Sequence, residues 1–157
     1  MTAANSFEFT PPQRIVFGEG TAGKTGELVK EWGKRALVVL GASEVVVAPV
    51  LISLKAAGLR YETVRVEHEP TLASVEAALE QARKFETEMV LGVGGGSALD
   101  TAKAVAALLA NPGELLDYLE VVGRGQTLRT ASKPCACIPT TAGTGSEATR
   151  NAVVGVP

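Results

Sequence analysis

The sequence predicts an α/β fold in which a parallel sheet carries helices on both faces. Short apolar runs of strand length alternate along the chain with helical segments of about 10–15 residues, the pattern of repeated βαβ units. The runs ALVVL at 36–40 and MVLGV at 89–93 are apolar throughout, as expected of strands covered on both faces. We find no internal repeat and no interdomain linker, so residues 1–157 are expected to form one domain.

The individual elements follow from apolar spacing and from the positions of glycine and proline. The predicted strands are residues 14–17, 36–40, 61–67, 88–93 and 134–138. The predicted helices are residues 22–32, a helix that reaches residue 57 with Pro49 in its first turn, and residues 71–85, 97–110 and 112–119. Gly33 and Gly58 are expected to end the first two helices. The stretch 121–132, rich in Gly, Arg and Thr, is predicted to be a loop.

Composition excludes several classes of partner. Fifteen Lys and Arg oppose 17 Asp and Glu, a formal net charge of −2, so no basic excess indicates a nucleic acid or an anionic membrane. The N-terminus lacks the basic and apolar regions of a secretory signal, and no apolar run approaches the roughly 18 residues that cross a bilayer. Cys135 and Cys137 are expected on opposite sides of the last strand, as unpaired core residues. We therefore expect a reduced, cytoplasmic protein.

A run of three glycines joins the strand at 88–93 to the next helix. Residues 89–103 read MVLGVGGGSALDTAK. Glycines permit a sharp turn and leave no Cβ between the backbone and a pyrophosphate, whose charge the N–H groups and dipole of the helix start would bind. Ser97 is expected either to cap the helix or to give its hydroxyl to a phosphate oxygen. The alternative is a tight turn with a serine cap and no ligand.

The spacing of this turn differs from the Rossmann motif G-x-G-x-x-G. Gly92 and Gly94 match its first two glycines, but Ser97 occupies the third position. No acidic residue about 20 positions further on ends a following strand. The fold is therefore predicted to be Rossmann-like. The turn is predicted to bind phosphate with a residue spacing that differs from the Rossmann motif.

A second polar loop follows the last predicted strand. Within residues 140–146 the hydroxyls of Thr140, Thr141, Thr144 and Ser146 alternate with two glycines, which suits hydrogen bonding to ribose and phosphate oxygens. The alternative is an ordinary polar surface loop. Both loops leave the carboxyl end of an apolar strand, however, and this is the edge of an open α/β sheet where ligands bind.

The stretches GGGSALDTAK at 94–103 and IPTTAGTGSEATRNAVV at 138–154 resemble the two N-domain motifs of the iron-containing alcohol dehydrogenase family. That family includes lactaldehyde and butanol dehydrogenases and maleylacetate reductases. PQRIVFGEG at 12–20, KRALVVLG at 34–41 and EPT at 69–71 also fit, so the resemblance covers the whole chain.

The resemblance implies a two-domain, dehydroquinate synthase-like fold. A nucleotide-binding N-terminal domain precedes a helical C-terminal domain that holds a divalent metal, Fe or Zn. Residues 1–157 would be the N-terminal domain, expected to be incomplete, with the metal-binding domain absent. The whole protein would transfer a hydride between the nicotinamide of NAD or NADP and a small alcohol or aldehyde.

The resemblance also implies site residues, all of them for the cofactor. Gly95, Gly96 and Ser97, with Gly94 before them, would bind the pyrophosphate. Asp100 would lie near the cofactor in a supporting role, the alternative being a carboxylate that only favours the helix dipole. The hydroxyls that would line the cofactor cleft belong to Thr140, Thr141, Thr144, Ser146 and Thr149.

Two departures from the family pattern affect function. NAD-preferring members commonly place an Asp at the end of the second strand to bind the ribose 2′-hydroxyl; this sequence has Gly41, which leaves room for a 2′-phosphate and so favours NADP. The family's metal ligands, one Asp and three His, lie beyond the stretch given. The one histidine, His68, is expected to be a solvated surface residue. We thus predict no catalytic and no metal residue here, and expect residues 1–157 alone to bind cofactor weakly and reduce nothing.

Other functions remain open at this point. GEGTAGKT at 18–25 matches the P-loop pattern of nucleoside triphosphatases, with Lys24 reaching the phosphates and Thr25 the magnesium. No apolar run ends in the Asp that such a site also needs. A lyase related to dehydroquinate synthase, a relative of glycerol dehydrogenase and a non-enzymatic nucleotide-binding module are further alternatives. A homodimer is also expected, with the strand at 14–17 pairing between chains.

Overall fold

Four parallel strands form the sheet at the centre of this structure, a computed structural model that describes residues 12–156. The strands are β1 Arg35–Leu40, β2 Arg60–Arg65, β3 Met89–Gly94 and β4 Cys135–Pro139. They lie in the order β2-β1-β3-β4, and each neighbouring pair is parallel. The predicted Rossmann-like parallel sheet is confirmed.

Helices cover both faces of the sheet, as predicted. On one face lie α1 Thr25–Val29 and α2 Glu44–Ala56; on the other lie α3 Leu72–Lys84, α4 Gly96–Ala110 and α5 Leu115–Tyr118. Alternate residues of β1 show why: Val38 belongs to the core on the α2 side and Leu37 to the core on the α4 side. No helix among residues 12–156 is long and apolar enough to cross a bilayer.

The strand predicted at residues 14–17 is not present. Ile15 is 74% exposed and Phe17 is 99% exposed, and the segment joins no sheet within the described part of the chain. A strand is stabilised by the ladder of hydrogen bonds with a neighbour. Without such a neighbour, apolar composition alone does not make these residues a strand.

Two of the predicted helices differ in detail. α2 begins at Glu44, after Ser43, so Pro49 lies inside the helix and not in its first turn. Pro49 costs α2 the bond to the Val45 carbonyl, but the buried side chains of Val47 and Val50 anchor this part of the helix in the core. The helix predicted at 22–32 is split, with α1 flanked by 3-10 turns at Thr21–Lys24 and Lys30–Trp32.

A carboxylate at the amino edge of the sheet fixes the start of β1. Glu88 Oε2 accepts the N–H groups of Lys34 at 2.7 Å and Arg35 at 2.9 Å. The bond from the Lys34 amide lowers the pKa of the Glu88 carboxyl; partial burial opposes this, and the Arg35 amide and charge add to it. Gly33 permits the contact, because a Cβ there would lie 2.7 Å from the Cβ of Glu88.

The contacts of Glu88 with Lys34 and Arg35 predict that the stability of the fold depends on pH. Glu88→Gln should lower the midpoint of thermal unfolding at neutral pH. Since the folded-state pKa of Glu88 is lowered, its contribution is complete above the ordinary value of 4.5 and is lost as the pH falls through the folded value. The midpoints of variant and wild type should therefore converge in acid. Glu76→Gln on the exposed face of α3 is the matched control, and equal midpoints at pH 7 for all three proteins would contradict the assignment.

Candidate dinucleotide cleft

The residues predicted to bind the cofactor meet at the carboxyl edge of the sheet. From β1 the chain continues to β2 on one side, whereas from β3 it continues to β4 on the other, so the order of strands reverses between β1 and β3. Ligands of open α/β sheets bind at such a reversal. Gly41 follows β1 there and donates its N–H to the Val93 carbonyl at 2.8 Å, and Thr140 follows β4 and donates to the Gly94 carbonyl at 2.9 Å.

Close backbone contact accounts for two of the glycines. A Cβ on Gly94 would lie 2.7 Å from Gly41 Cα, and a Cβ on Gly41 would lie 2.8 Å from the Cβ of Ala98. Real Cβ atoms do not approach other atoms so closely. Gly41 and Gly94 are therefore needed for β1, β3 and α4 to meet. This packing gives Gly41 a structural reason that is independent of the nucleotide.

The next two glycines face the hydroxyl loop and not the backbone of the core. A Cβ on Gly95 would lie 3.3 Å from Thr141 Oγ1, and a Cβ on Gly96 would lie 3.7 Å from Thr144. The glycine turn and the hydroxyl loop are thus opposite walls of one cleft, which we define as the space between residues 94–97 and residues 140–144. A side chain at Gly96 would occupy this space without disturbing the backbone.

The glycine wall of the cleft offers hydrogen-bond donors. The first bonds at the start of α4 run from Ala98 and Leu99 to the Gly95 carbonyl. Within residues 12–156 the N–H groups of Gly96 and Ser97 therefore have no acceptor, as is usual in the first turn of a helix. Gly95 is the N-cap and Ser97 lies inside the helix without a capping bond, so the capping alternative for Ser97 is wrong. Its half-buried hydroxyl makes no hydrogen bond to the described residues.

The opposite wall is held in place by α4 through a buried cluster of polar groups. Asp100 is 9% exposed; its Oδ1 accepts a hydrogen bond from the Ser146 hydroxyl, and its Oδ2 accepts the Val153 N–H at 3.2 Å. Asp100 and Ser146 thus fix the loop from behind, and the Ser146 hydroxyl is directed to α4 and not to the cleft. Asp100 thus contacts the loop directly, and its supporting role near the cofactor stays a prediction.

Lys103 completes this cluster, and sequence reasoning missed it. Its Nζ lies 2.9 Å from Asp100 Oδ1 and donates to the Ser146 carbonyl at 2.9 Å. It also donates to the carbonyl of Asn151, and lies 3.4 Å from both oxygens of Thr149. Lys103 therefore neutralises the Asp100 carboxylate while it gathers the carbonyls of residues 146–151. The i, i+3 spacing of Asp100 and Lys103 on one helix was the available signal.

The two cysteines of β4 share one face of the strand. The prediction of opposite faces is wrong, because successive side chains alternate and residues two apart point the same way. Both thiols are free and half-buried. A hydrogen bond between the thiols, then burial, raises the pKa of Cys135 well above its ordinary value; the same bond lowers the pKa of Cys137, with help from Lys103 against an opposing effect of burial.

The segment that matches the P-loop pattern lies away from this cleft. Residues 12–17, the described residues before it, form no strand, and the Thr25 hydroxyl donates to the Ala22 carbonyl at 2.7 Å. Gly26 N–H donates to Ser53 Oγ at 2.8 Å, in the last turns of α2. Because α2 starts at the carboxyl edge of the sheet and runs back, its end lies toward the amino edge. The geometry of a P-loop is therefore absent from residues 18–25, and the nucleoside triphosphatase alternative is wrong.

Residues 12–156 do not offer a metal centre. No three side chains of His, Cys, Asp or Glu come together in this range. His68 is exposed, as predicted for a surface residue. The donor set needed for a tightly bound divalent cation is thus not met by the described part of the chain.

Comparisons of this sequence with known proteins agree on one family. The sequence model of the family described as iron-containing alcohol dehydrogenase matches residues 12–157. A sulfoacetaldehyde reductase of Bilophila wadsworthia is 34% identical over 90% of this chain and 37% of its own length. The NADH-dependent butanol dehydrogenase A of Clostridium acetobutylicum is 31% identical over 95% of this chain and 39% of its own length.

Solved structures show the same fold. The NADH-dependent butanol dehydrogenase A of Thermotoga maritima superposes with a TM-score of 0.86 at 36% identity, over 96% of this chain and 38% of that one. A 1,3-propanediol oxidoreductase gives a TM-score of 0.88 at 29% identity, over 97% of this chain and 40% of that one. The chain therefore spans about two fifths of the length of these relatives.

The buried polar cluster of Asp100, Lys103 and Ser146 predicts that Lys103→Met destabilises the hydroxyl loop. The substitution leaves the Asp100 carboxylate without its cation and several carbonyls without their donor, so we expect the free energy of unfolding to fall by about 1–3 kcal/mol. Hydrogen exchange at residues 146–153 should become faster. Lys84→Met, which removes an exposed ion pair with Glu80, is the control and should leave the free energy of unfolding nearly unchanged. Equal hydrogen exchange at residues 146–153 in both variants would contradict the conclusion that Lys103 stabilises this segment.

The cysteine pair predicts unequal reactivity toward an alkylating agent. Because the thiolate is the nucleophile, Cys137, with its lowered pKa, should react with iodoacetamide before Cys135. The rate at Cys137 should rise with pH through a midpoint below the ordinary thiol value of 9.0. Timed quenching followed by fragment mass spectrometry separates the two sites. Faster labelling of Cys135 would reverse the assignment.

Proposed function

The chain belongs to the iron-containing alcohol dehydrogenase family, and on this premise we propose that residues 1–157 are its nucleotide-binding N-terminal domain. The observation that carries the proposal is the glycine turn between β3 and α4. There two N–H groups without an acceptor among the described residues and the Ser97 hydroxyl lie beside the space that a Cβ on Gly95 or Gly96 would enter. Such a space at a helix start suits a pyrophosphate.

The residues of the cleft divide the binding of NAD or NADP between them. Gly95, Gly96 and Ser97 hold the pyrophosphate through N–H groups and a hydroxyl, with the α4 dipole favouring its charge. Thr140, Thr141 and Thr144 supply hydroxyls for ribose and phosphate oxygens from the other wall. Asp100 and Lys103 keep this wall at the correct distance. The bound dinucleotide supplies the hydride at the nicotinamide ring, and the chain's part is to orient it and limit access of water.

The activity of the whole protein is proposed as hydride transfer between the nicotinamide and an alcohol or aldehyde. The relatives named above are dehydrogenases and reductases of butanol, sulfoacetaldehyde and 1,3-propanediol by their names, which supports a small alcohol or aldehyde as substrate. These names do not favour the lyase alternative. Since the described part of the chain lacks a metal centre, we place the ligands for Fe or Zn in the part of the whole protein outside residues 1–157.

Two further properties are proposed for the whole protein. The free thiols of Cys135 and Cys137 support a reducing compartment such as the cytoplasm. The exposed apolar side chains of Ile15 and Phe17 support a homodimer in which residues 14–17 are covered by a second chain.

A substitution inside the cleft tests the nucleotide site without harming the fold. Gly96→Ala places a methyl group 3.7 Å from Thr144 at a helical position, so stability should be retained while the methyl blocks the phosphate. Affinity for reduced nicotinamide dinucleotide should fall about tenfold or more, which corresponds to ~1.4 kcal/mol. Fluorescence titration of wild type and variant with NADH and NADPH measures it.

Gly23→Ala is the matched control for this experiment. A Cβ on Gly23 meets nothing within 4 Å, and Gly23 belongs to the segment with the P-loop pattern. Its affinity for the dinucleotide should equal that of wild type. Loss of binding in Gly23→Ala with retention in Gly96→Ala would move the nucleotide site to residues 18–25 and overturn the proposal.

A further inference from the structure

An arginine at the end of β2 lies against the turn that follows β1. Leu40 and Arg65 are partners in the register of β1 and β2, so β2 ends beside the first residues of this turn. The guanidinium of Arg65 donates from Nη1 to the Ala42 carbonyl at 3.2 Å. Arg65 is exposed and forms no ion pair among residues 12–156. Its other N–H donors are therefore available to a ligand.

The turn itself offers donors of a second kind. Ser43 is the N-cap of the 13-residue helix α2, yet its hydroxyl makes no capping bond. The first helical bonds run from Val46 and Val47 to the Ser43 carbonyl, which leaves the N–H groups of Glu44 and Val45 without an acceptor in the described range. The Glu44 side chain is exposed to solvent, where its charge is screened. A hydroxyl, two amides and a guanidinium thus surround one short turn.

This turn adjoins the proposed pyrophosphate site. A Cβ on Gly41 would lie 3.7 Å from Gly94 Cα and 3.8 Å from the Gly95 nitrogen. A dinucleotide whose pyrophosphate lay on residues 95–97 would place its next ribose toward the neighbouring strand end. On the β1 side that ribose would lie near Gly41, which has no carboxylate to accept a hydroxyl or to repel a phosphate.

We propose that Arg65, together with the turn 41–43, binds the 2′-phosphate of NADP(H) and makes the protein select NADP(H) over NAD(H). The inference rests on the proposed function, since it assumes a dinucleotide in the cleft. The guanidinium presents its donors in a planar fork that fits phosphate oxygens. Moving one donor from the Ala42 carbonyl to a phosphate dianion exchanges a neutral acceptor for a charged one. The Ser43 hydroxyl and the start of α2 complete the surroundings of the phosphate.

The test compares Arg65→Gln with Arg60→Gln in the whole protein, including any sequence that flanks residues 1–157. Both arginines are exposed and both belong to β2, but Arg60 starts the strand and so lies at the opposite edge. Fluorescence titration gives the affinities for NADPH and NADH. Wild type should bind NADPH more tightly, and Arg65→Gln should weaken NADPH about tenfold while changing NADH less than about twofold. Arg60→Gln should change neither.

Two further readouts isolate the phosphate. In wild type 2′,5′-ADP should compete better than 5′-ADP, and Arg65→Gln should remove that advantage. The affinity for NADPH should also fall more steeply with salt than the affinity for NADH, and Arg65→Gln should reduce this difference.

Three results would overturn the inference. Tighter binding of NADH by wild type would exclude selection for NADP(H). An equal loss for both nucleotides in Arg65→Gln would make Arg65 a support of the turn, and no loss at all would remove it from the site. In each of these cases NADH binding by wild type leaves the proposed function intact, whereas failure of wild type to bind either nucleotide would end both.

Discussion

The candidate cleft depends on how closely the ends of β1 and β3 approach the first turn of α4. Gly41, Gly94 and Ala98 meet at a point where one additional methyl group would lie under 3 Å from its neighbours. Because β3 runs straight into α4 there, the amides of Gly96 and Ser97 are brought to the carboxyl edge without side chains in front of them. Both the packing of the core and the access to the amides of the candidate site therefore require small residues here.

Much of this arrangement could be predicted from sequence, and the errors have physical causes. Continuous apolar runs identified the central strands because burial on both faces removes the need for polar residues. The same reasoning failed at Ile15 and Phe17, since an apolar run becomes a strand only where a neighbour supplies hydrogen bonds. Sequence reasoning also missed Lys103, whose partners other than Asp100 lie more than 40 residues away in sequence. Patterns within a helix show that two side chains share a face but not what they will contact.

The P-loop pattern at residues 18–25 shows that a sequence match does not make a phosphate site without the structural position that the motif requires. Residues 18–25 carry the required letters, yet no strand is formed by residues 12–17 before them, and Gly26 just after them packs against the end of α2. Phosphate binding by such a loop comes from the direction of its amides at the carboxyl edge of a sheet, and that direction is a property of the fold. The glycine turn at 94–97 does not match the residue spacing of the P-loop or Rossmann motifs, but it does lie at the carboxyl edge of the sheet. Position in the sheet therefore favours the glycine turn over residues 18–25 as the phosphate site.

Gly41 also changes how nucleotide selectivity should be explained in this chain. In this chain Gly41 is packed so closely that a Cβ there would lie 2.8 Å from the Cβ of Ala98. A residue fixed by packing leaves room for a 2′-phosphate but supplies no attraction for it, and room alone does not discriminate strongly between two ligands. Discrimination requires charge, and Arg65 on the neighbouring strand is a cation whose guanidinium contacts the same turn. If the chain distinguishes the two nucleotides, the difference in free energy comes from the end of β2, while Gly41 only permits it.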